Sequence, residues 1–156
     1  MTDNITADRI RNLVDEELIE GFDQVPDASA EYNFAIEMSG LVLHIIKRRP
    51  GGPLQVGQEI EFGDEITSRI REMPDSQRDT LVAQIREALM ETPIIYGFQD
   101  ADGTNVRFRE MDRVFLERRL YGSVDRQTLM DTLIAVWQAL RYLDDMWRFI
   151  EASGSE

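Results

Sequence analysis

Residues 31–47 read EYNFAIEMSGLVLHIIK, and this stretch decides the fold class. Apolar and polar side chains alternate from Tyr32 to Met38, which predicts a half-buried β-strand. Ser39 and Gly40 can then close a tight hairpin, because glycine accepts the backbone angles of a short turn. In the second strand, LVLHIIKR, both alternating sets of side chains are apolar. We therefore expect that strand to be central in its sheet and covered on both faces.

The sequence on either side of this hairpin adds helices and further strands. Helical spacing of apolar residues from Ile10 to Leu18 predicts an amphipathic helix, and alternation from Leu54 to Phe62 predicts a third strand. Two helices separated by Pro74, a second pair of strands and a long C-terminal helix complete the order α-β-β-β-α-α-β-β-α. This order predicts an α+β domain with a mostly antiparallel sheet of about five strands, flanked by helices on one face. Alternating βαβ units do not occur in it, so a doubly wound nucleotide-binding fold is not expected.

Length and charge limit the organisation of the chain and its partners. A chain of 156 residues predicts one domain, over residues 1–152, with a frayed tail at 153–156. The formal net charge of -13 argues against general nucleic-acid binding, since nucleic-acid binders present a basic surface. The N-terminus lacks the basic and apolar segments of an export signal, and no apolar stretch approaches the roughly 18 residues of a membrane helix. We therefore expect a cytoplasmic protein without a membrane partner.

The residue types leave little apparatus for catalysis or metal binding. The chain has no cysteine and one histidine, His44, which excludes thiolate sites and multi-histidine metal sites. His44 is either a hydrogen-bonded structural residue of its strand or a general base for a group opposite it. The segment FQDADGTN lacks two oxygen ligands of an EF-hand loop, so Asp100 and Asp102 are interpreted as residues of a tight turn. We expect no enzymatic activity, no cofactor and no bound metal.

The strongest candidate for a binding surface is a series of arginines in VRFREMDRVFLERRLYG, the predicted last strand, in which we expect a bulge or break near residues 110–112. Four arginines share one face of that strand with Met111 and two aromatic residues, which makes a basic strip on an acidic protein. Guanidinium groups between aromatic rings suit a carboxylate-rich peptide, a phosphate ligand or an RNA strand. The alternative is local pairing across the sheet with Glu59, Glu61 or Glu117. The candidate ligand-binding or partner-binding residues are Arg107, Arg109, Arg113, Phe115, Arg119 and Tyr121.

The predicted C-terminal helix has a wider apolar surface than one packing seam requires. Met130, Ile134 and Phe149 lie outside its main apolar stripe, and packing against the sheet is the simplest interpretation. Apolar surface left over from the helices or from an edge strand would instead be buried in a homodimer. We expect such a homodimer, although each subunit brings a charge of -13 to the other.

Two stretches resemble a known family. VPDASAEYNFAIE, before and within the first strand, and LERRLYGSVDRQTLMDTLIAVWQA, leading into the last helix, resemble an uncharacterised archaeal family assigned to the type III secretion chaperone-like fold. The resemblance covers nearly the whole chain, and the sequence departs from the family order by splitting its middle helix at Pro74. It implies a binding module, often dimeric in the chaperones that share the fold, and it carries over no catalytic residue.

Two classes of function are compatible with these patterns. The first is a non-enzymatic protein-binding domain, chaperone-like or adaptor-like, with a protein or peptide as its partner. The alternative is a sensor or enzyme for a small anion, with the arginine strip as its binding surface and His44 as a base. A shallow exposed apolar groove would favour the first class, and a deep pocket joining the arginines to His44 would favour the second.

Overall fold

The computed structural model describes residues 5–91 and 93–153. Within them, four α-helices and six β-strands follow the order α-β-β-β-β-α-α-β-β-α, which confirms the α+β class. The helices are α1 (Ala7–Leu13), α2 (Asp64–Glu72), α3 (Asp75–Met90) and α4 (Arg126–Ser153). The strands are β1 (Gly21–Gln24), β2 (Tyr32–Met38), β3 (Leu41–Lys47), β4 (Leu54–Glu61), β5 (Ile95–Gln99) and β6 (Arg113–Leu120). A 3₁₀ turn at Phe108–Glu110 lies between β5 and β6.

The strands form an antiparallel sheet in the order β1-β2-β3-β4-β6-β5. The sheet has one strand more than predicted, because the sequence pattern places no strand at residues 21–24. Main-chain pairing builds β1: its residues run antiparallel to β2, with Phe22 opposite Ile36. A strand of four residues is too short for its alternation to be recognised from periodicity.

The chain divides into two compact units. The first comprises Met1–Gln58 with Glu117–Gln138, and the second comprises Glu59–Leu116 with Ala139–Glu156. The single domain predicted over residues 1–152 stays a prediction. Of the frayed tail predicted at 153–156, Ser153 is the last residue of α4, and the other three residues lie outside the described part of the chain.

The inner face of the first unit's strands forms its core. Successive side chains of a strand point to opposite sides of the sheet. On the inner side, Phe34, Ile45 and Val56 lie opposite one another and are fully buried. Helix α1 packs on this side, where the guanidinium group of Arg11 lies 5.9 Å from the ring centroid of Phe22 and 5.4 Å from that of Phe34.

The outer face carries the neighbouring residues of the same strands. Ala35, His44 and Gly57 lie opposite one another, and Glu37 lies opposite Val42. Val42 is 42% exposed, so the prediction that β3 is covered on both faces was wrong. A two-sided apolar pattern indicates that both sides of a strand suit burial, but it does not tell what covers them.

The second unit contains the helix break predicted at Pro74, which lies between α2 and α3. Arg78 of α3 is buried and donates hydrogen bonds to the carbonyl oxygens of Ile70, Arg71 and Met73 at distances of 3.2, 3.4 and 2.6 Å. The bonds to Arg71 and Met73 satisfy carbonyl groups at the end of the helix, and Ile70 accepts a second bond besides that from the Met73 N–H. Arg78 therefore acts as a cap that fixes α2 to the start of α3.

Candidate functional site

The predicted arginine strip does not form. Arg107 and Arg109 lie before β6, at the 3₁₀ turn Phe108–Glu110, and both side chains are exposed. The turn forms because its phenylalanine is buried, with the ring 6.3 Å from that of Trp147. The break predicted near residues 110–112 is confirmed, since β6 begins only at Arg113. The placement of Arg107 and Arg109 on the face of that strand was wrong, as was that of Met111, which is buried in the core.

Arg113, on β6, is bound by residues of its own unit. Its Nε donates to the carbonyl oxygen of Asp100 (3.1 Å), its Nη2 donates to that of Ala101 (2.6 Å), and its Nη1 pairs with a carboxylate oxygen of Glu59 (3.3 Å). The tight turn predicted at this point is confirmed, because the Asp100 carboxylate accepts a hydrogen bond from the backbone N–H of Asp102 (3.0 Å). Arg113 therefore holds the turn beside the strand, and its predicted pairing with Glu59 is observed.

Phe115, Arg119 and Tyr121 complete the predicted set. The ring of Phe115 lies so close to Gly97 that a β-carbon there would be 2.6 Å from its Cε1 atom. Arg119 pairs with Glu117 at 3.0 Å, which is the second of the predicted ion pairs. The hydrogen bond to Glu117 raises the pKa of Arg119, so its side chain is cationic. Tyr121 follows β6 and is 71% exposed.

The outer face of the first unit holds a series of hydrogen-bonded side chains that begins at His44. The His44 Nδ1 atom lies 3.0 Å from the amide oxygen of Asn33, and the amide nitrogen of Asn33 donates to the Asp27 carboxylate at 3.2 Å. The carboxylate fixes the orientation of the amide, and an amide oxygen only accepts hydrogen bonds. Nδ1 of His44 therefore carries the ring proton, and Nε2 is unprotonated and able to accept a hydrogen bond. Burial lowers the pKa of His44, which favours this neutral ring.

The series continues from Asp27 to the end of β3. The Ser29 hydroxyl donates to Asp27 at 2.6 Å and is the largest cause of the lowered pKa of that carboxyl group. Arg48 donates from Nη1 to the Ser29 hydroxyl oxygen (3.1 Å) and from Nε to the side-chain oxygen of Gln55 (3.2 Å). We call the whole series the polar chain, and its members are His44, Asn33, Asp27, Ser29, Arg48 and Gln55.

A concave site of about 290 Å³ lies beside the end of β3. We call it the arginine pocket, and its lining residues are Arg48, Arg49, Gly52, Pro53, Gln55 and Arg119. Its wall includes a tight turn in which the Gly52 N–H donates to the Arg49 carbonyl oxygen at 3.0 Å and Gly51 has a φ of 73°, a conformation that favours glycine. A β-carbon at Gly52 would lie 2.7 Å from Cγ of Arg49. The second glycine therefore leaves room for the Arg49 side chain to lie across the turn.

Sequence reasoning found His44 and Arg119 but not the groups that surround them. Asn33 and Asp27 meet through the turn before β2, and such side-chain contacts leave no periodic signal. The segment RPGGP has neither helical nor alternating spacing of apolar residues. Its Pro-Gly pair is typical of a type II turn, and this signal could have placed the adjacent arginines at a tight turn.

Comparison with known proteins places the chain in a family. A family model described as an uncharacterized conserved protein, DUF2299, matches residues 6–146. The chain belongs to this family. Its structure is similar to the crystal structure of an uncharacterized protein from Methanothermobacter thermautotrophicus, with a TM-score of 0.71 and 14% sequence identity, over 90% of this chain and 95% of that chain. No curated protein matches the chain.

These comparisons confirm part of the predicted resemblance. The family is uncharacterised, and a similar structure comes from an archaeon; at 14% identity this likeness shows the fold alone. The type III secretion chaperone-like fold stays a prediction. Among the described residues, no helix is long and apolar enough to span a membrane. Within residues 5–91 and 93–153, no group of three or more histidine and acidic residues is placed to hold a metal ion.

Proposed function

We propose that the protein is a non-enzymatic binding domain, adaptor-like or chaperone-like, that receives a partner protein on the outer face of β2 and β3. The observation that carries this proposal is the open aliphatic side of β3. Val42 is 42% exposed, Ile46 is half-buried, and Ala35 adjoins them from β2. We call these three residues, with His44 between them, the docking face.

Aliphatic side chains are uncommon on the solvent side of an antiparallel sheet, which usually pairs a buried apolar face with a polar one. The inner side of the same strands is already buried in the core of the unit. A further aliphatic side is typical of a surface that another protein covers. Covering the exposed parts of Val42 and Ile46 would contribute on the order of 1 kcal/mol each to an association.

His44 gives this surface an oriented hydrogen-bond acceptor. Its Nε2 atom is a bare acceptor, because the hydrogen bond to Asn33 fixes the ring proton on Nδ1. A donor on the partner, such as a hydroxyl or amide group, would satisfy it. One oriented hydrogen bond between aliphatic contacts is typical of sites that fix the register of a bound protein.

The net charge favours a partner of opposite sign. At a formal charge of -13, the chain attracts basic proteins over a distance of about 8–10 Å at physiological salt and repels a second copy of itself. We therefore infer a basic partner with an aliphatic patch. The homodimer expected from the sequence is the second possible occupant, and the same experiment distinguishes the two.

Affinity purification from the source organism tests the proposal with two matched variants. Val42→Lys places a cation on the docking face, opposite Glu37, where the strand tolerates it. Met90→Lys makes the same kind of change at a residue of α3 that is 75% exposed and lies in the other unit. The wild-type chain and Met90→Lys should recover the same protein, whereas Val42→Lys should bind it at least tenfold more weakly once that protein is purified.

Two results would speak against the proposal. Equal binding of the recovered protein by Val42→Lys and by the wild-type chain would place the interface elsewhere. Recovery of no stoichiometric partner, with light scattering that gives the mass of one chain at tens of micromolar protein, would exclude both the partner and the homodimer.

The alternative function loses most of its predicted surface, since Arg107 and Arg109 lie outside β6 and Arg113 is held by the turn. Arg119 alone of the four predicted arginines is among the residues that line the arginine pocket. His44 does not belong to that lining set. The arginine pocket therefore does not join the predicted arginines to His44, and it gives no support to the enzyme alternative.

A further inference from the structure

We infer that the arginine pocket is a binding site for a small phosphate-bearing ligand, either inorganic phosphate or a small phosphate monoester. This inference goes beyond the protein-binding role and rests on separate residues. Three arginines, Arg48, Arg49 and Arg119, are among the residues that line one concavity, and no acidic residue belongs to its lining. In a chain with 30 acidic and 17 basic residues, such a concentration of positive charge is a local exception.

Neither Arg48 nor Arg49 makes an ion pair with a described carboxylate. Arg48 is oriented by two neutral groups, the Ser29 hydroxyl and the Gln55 amide, and its charge also contributes to the lowered pKa of the Asp27 carboxyl group. Arg49 has neither an ion pair nor a side-chain hydrogen bond among the described residues. Guanidinium groups present paired N–H donors that match the oxygen atoms of a phosphate group. Two of the three arginines can therefore bind an oxyanion without breaking an existing ion pair.

The third arginine has an exchangeable partner. Arg119 pairs with Glu117 on the same strand, and 42% of its side-chain surface is exposed. Exposed pairs of this kind are weak, since water and salt screen them. A doubly charged ligand would compete with the single carboxylate for this guanidinium group.

The turn beside the pocket leaves room for the Arg49 side chain. Because a β-carbon at Gly52 would come within 2.7 Å of Cγ of Arg49, the glycine permits the side chain to lie over the turn. A volume of about 290 Å³ is at the lower end of the range for ligand pockets, which suits a phosphate group with a small organic substituent.

Two other concavities near α1 provide a contrast. Both are lined by Arg11 and Glu16; one also contains Arg126, Asp15 and Glu17, and the other contains Glu20. Carboxylates beside the arginines disfavour an anionic ligand in both. The arginine pocket differs from both by its lack of acidic lining residues and by its three cations.

The test is a titration of the protein with inorganic phosphate at constant ionic strength, followed by backbone amide NMR signals. Saturable shifts should concentrate at residues 48–55 and 119. Arg49→Gln removes one cation whose side chain makes no hydrogen bond or ion pair among the described residues, and Gly52→Ala displaces that cation without changing the charge. Each should weaken phosphate binding about tenfold or more. Thermal stability should stay near that of the wild-type chain for Arg49→Gln, whereas Gly52→Ala should lower it, because the new β-carbon would also lie 3.2 Å from the Arg49 carbonyl oxygen.

Arg107→Gln is the matched control, since this exposed arginine lies outside the pocket and should leave binding within about twofold. Tighter binding of glycerol phosphate than of inorganic phosphate would assign the site to a phosphate monoester, and equal or weaker binding would assign it to free phosphate. The inference is overturned if phosphate gives no saturable shifts, if acetate produces the same shifts with the same affinity, or if Arg107→Gln weakens binding as much as Arg49→Gln.

Discussion

The two faces of the β2–β3 hairpin use alternate residues of the same strands for different purposes. Phe34 and Ile45 on the inner face are fully buried, whereas Ala35 and His44, one residue away on each strand, face outward. The side chains of the inner row are buried in the core of their own unit. The outer row combines aliphatic side chains with a hydrogen-bonded series of polar groups, in which Nε2 of His44 is unprotonated. The exposed aliphatic side chains of the outer row are the observation on which the proposed partner binding rests.

The largest expected effect is on the inner face. Phe34→Ala should lower the free energy of unfolding by about 3–5 kcal/mol, because it leaves a cavity in a close-packed core and removes a ring that contacts Phe22 and Tyr32. Urea denaturation followed by circular dichroism measures this change. A loss below about 1 kcal/mol would contradict the assignment of this face to the core.

A smaller effect is expected from the polar chain on the outer face. Asn33→Ala removes the amide that joins His44 to Asp27, and should lower the free energy of unfolding by about 1–2 kcal/mol. Gln55→Ala, at the far end of the series, is the control and should cost less because its partner Arg48 is exposed. Equal losses of unfolding free energy for both substitutions would mean that the Asn33 amide does not organise the polar chain.

The pH dependence of stability sharpens the comparison further. Burial holds the pKa of folded His44 below its ordinary value of 6.5, so the unfolded chain takes up the proton first as the pH falls. The contribution of His44 is therefore fully present above pH 6.5 and is lost as the pH falls from that value toward the folded-state pKa. The lowered pKa of Asp27 acts in a separate, more acidic window, below about pH 4.

NMR titration of the imidazole signals, with unfolding measured between about pH 5.5 and 7, checks this prediction. His44→Gln should remove the slope in that range. The nitrogen chemical shifts should also report a proton on Nδ1. A folded-state pKa at or above 6.5, or a proton on Nε2, would contradict the described network.

The smallest effect is expected at the docking face. Val42→Lys should change the free energy of unfolding by no more than about 0.5 kcal/mol, because the side chain is exposed and lies opposite Glu37. Chemical denaturation measures it beside Met90→Lys. A cost above about 1.5 kcal/mol would show that the fold itself needs Val42, and loss of partner binding could then not be assigned to the surface.

Periodicity predicted the parts of the fold that depend on burial. The alternation in β2, the hairpin at Ser39 and Gly40, and the helix break at Pro74 all appear as expected. It failed where main-chain pairing or a single anchor decides the structure. The four residues of β1 carry too short a pattern, and the buried ring of Phe108 turns the chain away from the strand that the arginines suggested.

The candidate sites were less predictable than the fold, since they depend on contacts between distant residues. His44 was recognised because it is the single histidine, but its bond to Asn33 follows from the register of two strands. The arginine pocket joins a turn after β3 to a residue of β6, and the sequence of neither segment indicates that it lies beside the other. The spacing of residues within one strand could therefore predict neither the His44–Asn33 hydrogen bond nor the arginine pocket.

Site-specific photo-crosslinking in the source organism tests the central claim most directly. A photoreactive phenylalanine analogue at position 42 samples the docking face, and the same analogue at position 90 samples an exposed site on α3 in the other unit. The outer-face account predicts one dominant adduct at position 42, identified by mass spectrometry as a basic protein, and no such adduct at position 90. Absence of an adduct at position 42, or the same adducts at both positions, would contradict it.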